Sequence, residues 1–281
     1  MMFPLADLCR VLQVSASGYH AWKRRPASAR RQADVLLAAV IAATHRECRE
    51  AYGSRRLWRE LRARGVACGR HRMDRLRREQ QLWTRRRRRF LRARGPYQRT
   101  FVPPRLVQWP FNASAPDRLW MGDITHVATR EGPLLFATIV DAYSRRVVGW
   151  AMDDHQRMDL TERALEMALL HRRPQPGLIL HHDRGSQYTG VRYRAKVEAA
   201  KILLSMSRPG MPYDNAMAES FFASLKLEIN DGQAFKNRDA ARRAVFDYVE
   251  VFYNRVRLHS ALGYRSPVQA ERDYQQVRSV S

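Results

Sequence analysis

Residues 181–188 read His-His-Asp-Arg-Gly-Ser-Gln-Tyr, and residues 214–226 read Asp-Asn-Ala-Met-Ala-Glu-Ser-Phe-Phe-Ala-Ser-Leu-Lys. Thirty-five residues separate Asp183 from Glu219. The apolar run Leu178-Ile179-Leu180 is expected to be a short buried strand ending at His181-His182-Asp183. The second segment is expected to be a helix from about Asp214. Glu219 then lies in its first turns, and Lys226, seven residues on, shares its face. Between them, the Pro/Gly stretch 208–213 reads as a loop and as the likeliest mobile piece. Upstream, Trp120-Met121-Gly122-Asp123-Ile124-Thr125 places a third acid in mid-strand, where a lone carboxylate is costly unless paired or liganded.

Working outward, 119–129, 134–140 and 146–152 read as three strands joined by turns at Glu131-Gly132-Pro133 and near Ser144. Residues 159–170 have helical periodicity, a helix is expected near 190–200, and Ile202-Leu203-Leu204 is another short strand. Three antiparallel strands followed by strands alternating with helices indicate a mixed α/β sheet.

The acids fall on separate elements of that sheet. Asp183 ends a strand, where ligand sites of open sheets concentrate. Three carboxylates converging from Asp123, Asp183 and Glu219 would repel one another without cations. Mg²⁺, an oxygen-seeking ion held by one or two carboxylates, suits them, with Mn²⁺ as a substitute. Two ions some 4 Å apart can activate a water or 3′-hydroxyl and stabilise the leaving oxygen of an in-line displacement at phosphorus. Taken singly, each acid is more often a cap, an ion pair or a surface charge, and Asp141, Asp153 and Asp154 are read so. His126, His181 and His182 raise zinc as an alternative, but Cys9, Cys48 and Cys68 stand far apart with no Cys-x-x-Cys. The expectation is that His126 and His181 alternate to strand faces and that His182 borders the site.

Charge points to a polyanion. The net charge is +24, and it is segregated. Residues 1–110 hold 27 Lys+Arg against 7 Asp+Glu, and residues 111–281 hold 24 against 20. Neutralising phosphates releases counterions and supplies non-specific affinity. Codon bias in a GC-rich genome explains Arg over Lys but not why the excess stops near residue 110. No apolar run approaches the roughly 18 residues of a membrane span, and no signal pattern opens the chain. A cytoplasmic, nucleoid-associated protein is expected.

The basic third reads as helices. Residues 5–14, a turn at 15–18 with Ser17 as a candidate cap, and a short helix through Trp22 give a helix-turn-helix outline over 1–30. Residues 32–49 form a helix whose apolar face is read as Val35, Leu36, Ala39, Val40 and Ala43. Ser54 is the candidate cap of the next helix, which Gly65 stops. The following helix carries Met73, Leu76 and Leu82 inward and Arg70, Arg72, Arg75, Arg77 and Arg78 on its other faces. DNA contact is favoured there over a merely solvated basic face, because shape and charge agree. Five arginines (85–89) are expected to join domains along phosphates, and the proline-rich stretch 95–116 is read as a linker. The expected domains are thus 1–30, a basic helical DNA-binding domain at 31–94, the linker, a catalytic core at 117–232, and a C-terminal helix and tail at 233–281. In the last of these, 238–254 is amphipathic. Two readings stand for Arg255, Arg257 and His259 beyond it: a lid packed on the core, or contacts to DNA.

These residues together resemble the DDE transposases of bacterial insertion sequences. The likeness rests on Trp120–His126, His181–Tyr188, Ala218–Lys226 and Tyr253–Pro267, with Leu8–Trp22 and Tyr52–Leu61, so it covers nearly the whole chain. It implies a ribonuclease H-like fold shared with retroviral integrases, with Asp123, Asp183 and Glu219 as catalytic triad and Lys226 as a DNA-contacting lysine. It implies two metal ions per active site, cleavage and strand transfer at element ends, and association of protomers on DNA. It also implies a first-frame product, joined to this second-frame chain by frameshifting. Two departures, His126 for a common Tyr and His182 for a common Ser, leave all three acids present. The competing readings are a DNA-binding regulatory subunit without catalysis of its own and a ribonuclease H-type nuclease, the latter disfavoured by the basic helices and the C-terminal motif.

Overall fold

The computed structural model describes residues 4–84, 104, 106–107, 113–155, 158–183, 185–207 and 216–280. The arginine run 85–89, most of the proline-rich linker and the loop 208–213 lie outside the described residues. Two compact units are present, one of residues 1–47 and 52–83, the other of 48–51 and 84–281. Among the described residues no helix is long and apolar enough to cross a membrane.

The first unit is all-helical: α1 (Leu5–Val11), α2 (Ala16–Arg24), α3 (Ala29–Glu47), α4 (Ser54–Ala63) and α5 (Arg70–Glu79). Ser15, not Ser17, caps α2, its hydroxyl accepting the Gly18 N–H at 3.0 Å. Gly53, not Ser54, stands at the cap of α4. Helices α3, α4 and α5 pack mutually around Ile41, Leu57, Leu61, Met73 and Leu76, with Tyr52 fully buried. The face α3 turns inward is not the expected one. Ile41, Thr44 and His45 are buried, whereas Val35 and Leu36 are 65% and 72% exposed. Ion pairs decide the choice: Asp34 on α3 receives Arg72 at 2.7 Å and Arg75 at 2.6 Å from α5.

The second unit is built on one five-stranded sheet of β1 (Leu119–Val127), β2 (Leu134–Asp141), β3 (Val147–Asp153), β4 (Ile179–His182) and β5 (Leu203–Met206), in the order β3-β2-β1-β4-β5. β1, β2 and β3 pair antiparallel, and β4 and β5 add parallel on the far side of β1. Every residue of β2 is buried, as expected of a strand covered on both faces. Helices α6 (Met158–Arg172), α7 (Ser186–Thr189), α8 (Val191–Ala199) and α9 (Ala216–Asn230) complete the layers. Trp120, Ile139, Leu165, Leu180, Tyr193 and Val197 form a main core under α6 and α8. Gly149 lets α6 lie close on β3: a Cβ there would stand 2.2 Å from the Ala164 carbonyl.

The C-terminal segment completes this unit. It comprises α10 (Arg238–Phe246), a π-helical stretch Asp247–Tyr253, a 3-10 turn Ser260–Leu262 and a final helix, α11 (Pro267–Val280). Asn254 bonds both backbone groups of Val147 at the start of β3, at 2.9 and 3.0 Å. Glu271 on α11 takes the Ser144 hydroxyl at 2.8 Å, Arg146 at 2.7 Å and Arg172 at 2.9 Å. Burial pushes the Glu271 carboxyl up, but Arg172 and Arg146 outweigh it and hold it below the ordinary glutamate value of 4.5. A depressed folded value means that the contribution is present above pH 4.5 and fades as pH falls below it. Glu271→Gln is therefore expected to lower stability at pH 7 by about 1–3 kcal/mol. The deficit should shrink in melting curves taken near pH 4, and a deficit that did not change with pH would remove the charge from this account.

Candidate active site

Asp123 lies on β1, and Asp183 directly follows β4, the strand beside it. β1 and β4 are parallel, with Met121 paired to His181. Asp123 lies two residues beyond the last paired position on β1, and Asp183 follows directly on the end of β4. Each carboxylate is oriented locally. Asp123 Oδ1 accepts the Ile124 N–H at 2.8 Å, and Asp183 Oδ1 accepts the Gly185 N–H at 3.0 Å. Both are half-buried. Tyr188 reports their common field: burial pushes its hydroxyl pKa well up, and the charges of Asp123 and Asp183 push it further.

Helix α9 packs across β1. Glu219 sits in its first turn, half-buried. Lys226 lies two turns on, and burial pushes its ammonium pKa down against the pull of the Asp123 carboxylate. Lys226 is thus within electrostatic reach of Asp123, on the helix face it shares with Glu219. The opposite face of α9 is anchored. Glu228 receives Arg257 at 2.6 and 2.8 Å and the Tyr248 hydroxyl at 2.9 Å.

Under the two acids lies an aromatic stack that the sequence did not announce. His182, 1% exposed, stacks on Tyr188 with ring centroids 3.8 Å apart and planes 13° apart. Its Nε2 shares a 2.7 Å hydrogen bond with the Tyr193 hydroxyl. Burial pushes the His182 pKa down to about 3, so the imidazole is neutral. His181 turns the other way and bonds Ser205 and Ser207 at 2.9 and 3.1 Å, while His126 is exposed. The three histidines are thus dispersed. Asp123, Asp183 and Glu219 offer carboxylate oxygen, the ligand type of Mg²⁺ and Mn²⁺, while among the described residues the three potential ligands whose atoms lie within 4.8 Å of one another are Asp153, Asp154 and His155. Asp141 is structural, its carboxylate accepting the N–H groups of Asp117, Tyr143 and Ser144. Asp153 and Asp154 pair with Arg163 and Arg238.

The basic residues divide. Arg78 is 65% exposed at its side chain while pairing with Asp74, Arg255 is exposed, and Arg70 is half-buried at the start of α5. Arg72 and Arg75 share Asp34 and keep part of their surface open. Arg77 and Arg257 correct the expectation of DNA contact. Arg77 folds back onto Asp74 and the Leu82 carbonyl, and Arg257 is 3% exposed inside the Glu228 pair. Both guanidiniums are held by internal acceptors, so neither presents a charge to a phosphate. His259 is half-buried, its ring edge-on to Tyr253 at 4.9 Å.

Comparison with known proteins agrees with this architecture. Residues 113–212 and 200–267 match two models described as integrase core domain, and residues 31–90 match an HTH-like domain. The chain is 42% identical over 270 residues to the insertion element IS600 uncharacterized 31 kDa protein of Shigella sonnei, covering 96% of this chain and 99% of that one. It is 38% identical over 275 residues to transposase InsF for insertion sequence IS3A of Escherichia coli K12, covering 96% and 94%. The HTLV-2 integrase catalytic core domain, solved in complex with magnesium, aligns at 17% identity and a TM-score of 0.43, over 57% of this chain and 99% of that one. Full-length likeness to insertion-sequence proteins, integrase-core matches through the acid-bearing segments and an HTH-like region before them establish that the chain belongs to the IS3-family insertion-sequence transposases, with an integrase core.

Proposed function

We propose that the chain is a Mg²⁺-dependent polynucleotidyl transferase that cuts a phosphodiester at an insertion-element end and joins the freed 3′-hydroxyl to another strand. The observation that supports this is that Asp123 on β1 and Asp183 just after the neighbouring parallel strand β4 both act on the buried Tyr188 hydroxyl, with Lys226 in the field of Asp123. Asp123, Asp183 and Glu219 would hold two divalent ions. Such ions activate the attacking hydroxyl and neutralise charge on the leaving oxygen.

The residues themselves supply position and field. β1 holds Asp123 in mid-strand and the end of β4 holds Asp183, while Glu219 comes from the first turn of α9, which packs on β1. Lys226 is a phosphate contact beside Asp123, holding the DNA strand over the acids. Arg70, Arg72, Arg75, Arg78 and Arg255 supply sequence-independent attraction to the duplex. His259, half-buried four residues after the exposed Arg255, is a further candidate contact to DNA. Two element ends must meet, so more than one protomer acts on DNA. The first-frame product, fused by frameshifting, is the expected partner.

The test uses the purified chain, alone and fused to its first-frame segment, with a labelled duplex carrying the element end. Nicking and strand transfer are expected with Mg²⁺ or Mn²⁺ and should disappear with chelator, while duplex binding persists. Cleavage that survived complete removal of divalent ions would refute the metal-assisted reading.

A further inference from the structure

Gly122 stands immediately before Asp123 in β1, and its missing side chain is filled. A Cβ built there would lie 2.1 Å from Cε1 and 2.3 Å from Nδ1 of His182. No real Cβ tolerates such distances, so residue 122 and the imidazole occupy one volume between them. The ring cannot step aside freely. Tyr188 lies flat against it and Tyr193 holds its Nε2. Tyr193 itself belongs to the main core, with 1% of its surface exposed. His182 in turn precedes Asp183, so the same ring is covalently next to one acid and in contact with the residue before the other.

We propose that Gly122 and His182 form a matched pair that sets the spacing of Asp123 and Asp183. In this arrangement the imidazole rests on bare backbone at Gly122 and fixes β1 against the end of β4. Tyr188 and Tyr193 clamp the ring from the α7–α8 side. His182 is a positioning residue: it touches neither substrate nor metal, and acts through the backbone that carries the two acids. The proposal rests on the reading of Asp123 and Asp183 as metal ligands. It also gives the departure at position 182 a physical partner, since a large ring there requires glycine at 122.

The experiment is a double-variant cycle on the full chain without DNA, with Mn²⁺ as probe and electron paramagnetic resonance reading the free ion. Gly122→Ala should weaken Mn²⁺ binding at least tenfold, because its methyl drives the ring, and with it Asp183, away. Serine at 182 is short and vacates the volume. The penalty of Gly122→Ala should therefore fall below threefold when measured in the His182→Ser background. Melting curves on each variant separate a folded protein from an unfolded one. If Gly122→Ala alone does not fold, recovery of the fold in the double variant supports the pair, and failure to recover overturns it. An equal penalty in both backgrounds, or no effect of Gly122→Ala on Mn²⁺, also overturns it. Asp183→Asn in the same assay isolates the underlying reading. If that variant binds Mn²⁺ as well as the parent, the metal site is wrong, and the pairing fails for a reason of its own.

Discussion

Asp183→Asn is expected to leave duplex binding intact and to lower strand transfer by about three powers of ten or more, equal to about 4 kcal/mol of barrier. The amide keeps the shape of the carboxylate and can still accept the Gly185 N–H. It removes one of the two negative charges that act together on the Tyr188 hydroxyl. Two consequences separate this from simple damage. Without metal, the parent holds Asp123 and Asp183 in mutual repulsion, so Asp183→Asn should melt no lower than the parent and slightly higher. With Mg²⁺, the parent gains stability by linkage, about 1.4 kcal/mol at ten times the dissociation constant. The variant should lose that gain. Asp123→Asn and Glu219→Gln should share the loss of activity. Scanning melts with and without Mg²⁺ beside a strand-transfer assay would check all three. Full strand transfer in any one of them would remove that residue from the mechanism.

The sheet was legible because its strands are apolar runs punctuated by Gly, Pro and Ser. The strand expected at 134–140 is β2, and the observed strands agree with expectation to within one or two residues at most ends. The elements that carry the acids were legible: Asp123 falls on a strand, Asp183 just after one and Glu219 in the first turn of a helix, as expected. What stayed hidden depended on partners distant in the chain. The inward face of α3 carries Asp34, Thr44 and His45, so a hydrophobic pattern selects the wrong stripe, Val35 to Ala43. Only the arginines of α5 show why Asp34 faces in. Arginine was read as surface by residue type, and Arg77 and Arg257 are turned inward by acceptors that the local sequence does not reveal. Tyr188 and Tyr193 gave no periodic signal, because their role comes from the ring of His182 between them. The final helix was read only as a tail. Its anchor, Glu271, binds residues about a hundred positions or more away.

Arg257→Leu should produce the largest loss of stability, about 3–5 kcal/mol. The guanidinium makes two bonds to Glu228 and one, at 3.3 Å, to Ser224. Both charged partners are almost wholly buried, at 4% and 5% side-chain exposure. Burial alone would lower the Arg257 pKa, yet its neighbours Tyr248 and Glu228 raise it overall. Removing the cation leaves Glu228 as a buried, uncompensated carboxylate, and that stranded charge is the main cost. The double variant Arg257→Leu with Glu228→Leu removes both charges and should recover most of the loss, because an apolar pair needs no desolvation. The Tyr248 hydroxyl would then lose its acceptor, which limits the recovery by about 1 kcal/mol. Chemical denaturation of the single and double variants measures this directly. The consequence for catalysis follows from helix phase. Ser224 and Glu228 lie roughly 140–180° around α9 from Glu219 and Lys226, so Arg257 grips the back of the helix whose front faces the acids. Where Arg257→Leu stays folded, α9 should move, and activity should fall more steeply than duplex binding. Equal losses in binding and in transfer, with stability unchanged, would place Arg257 on the DNA after all.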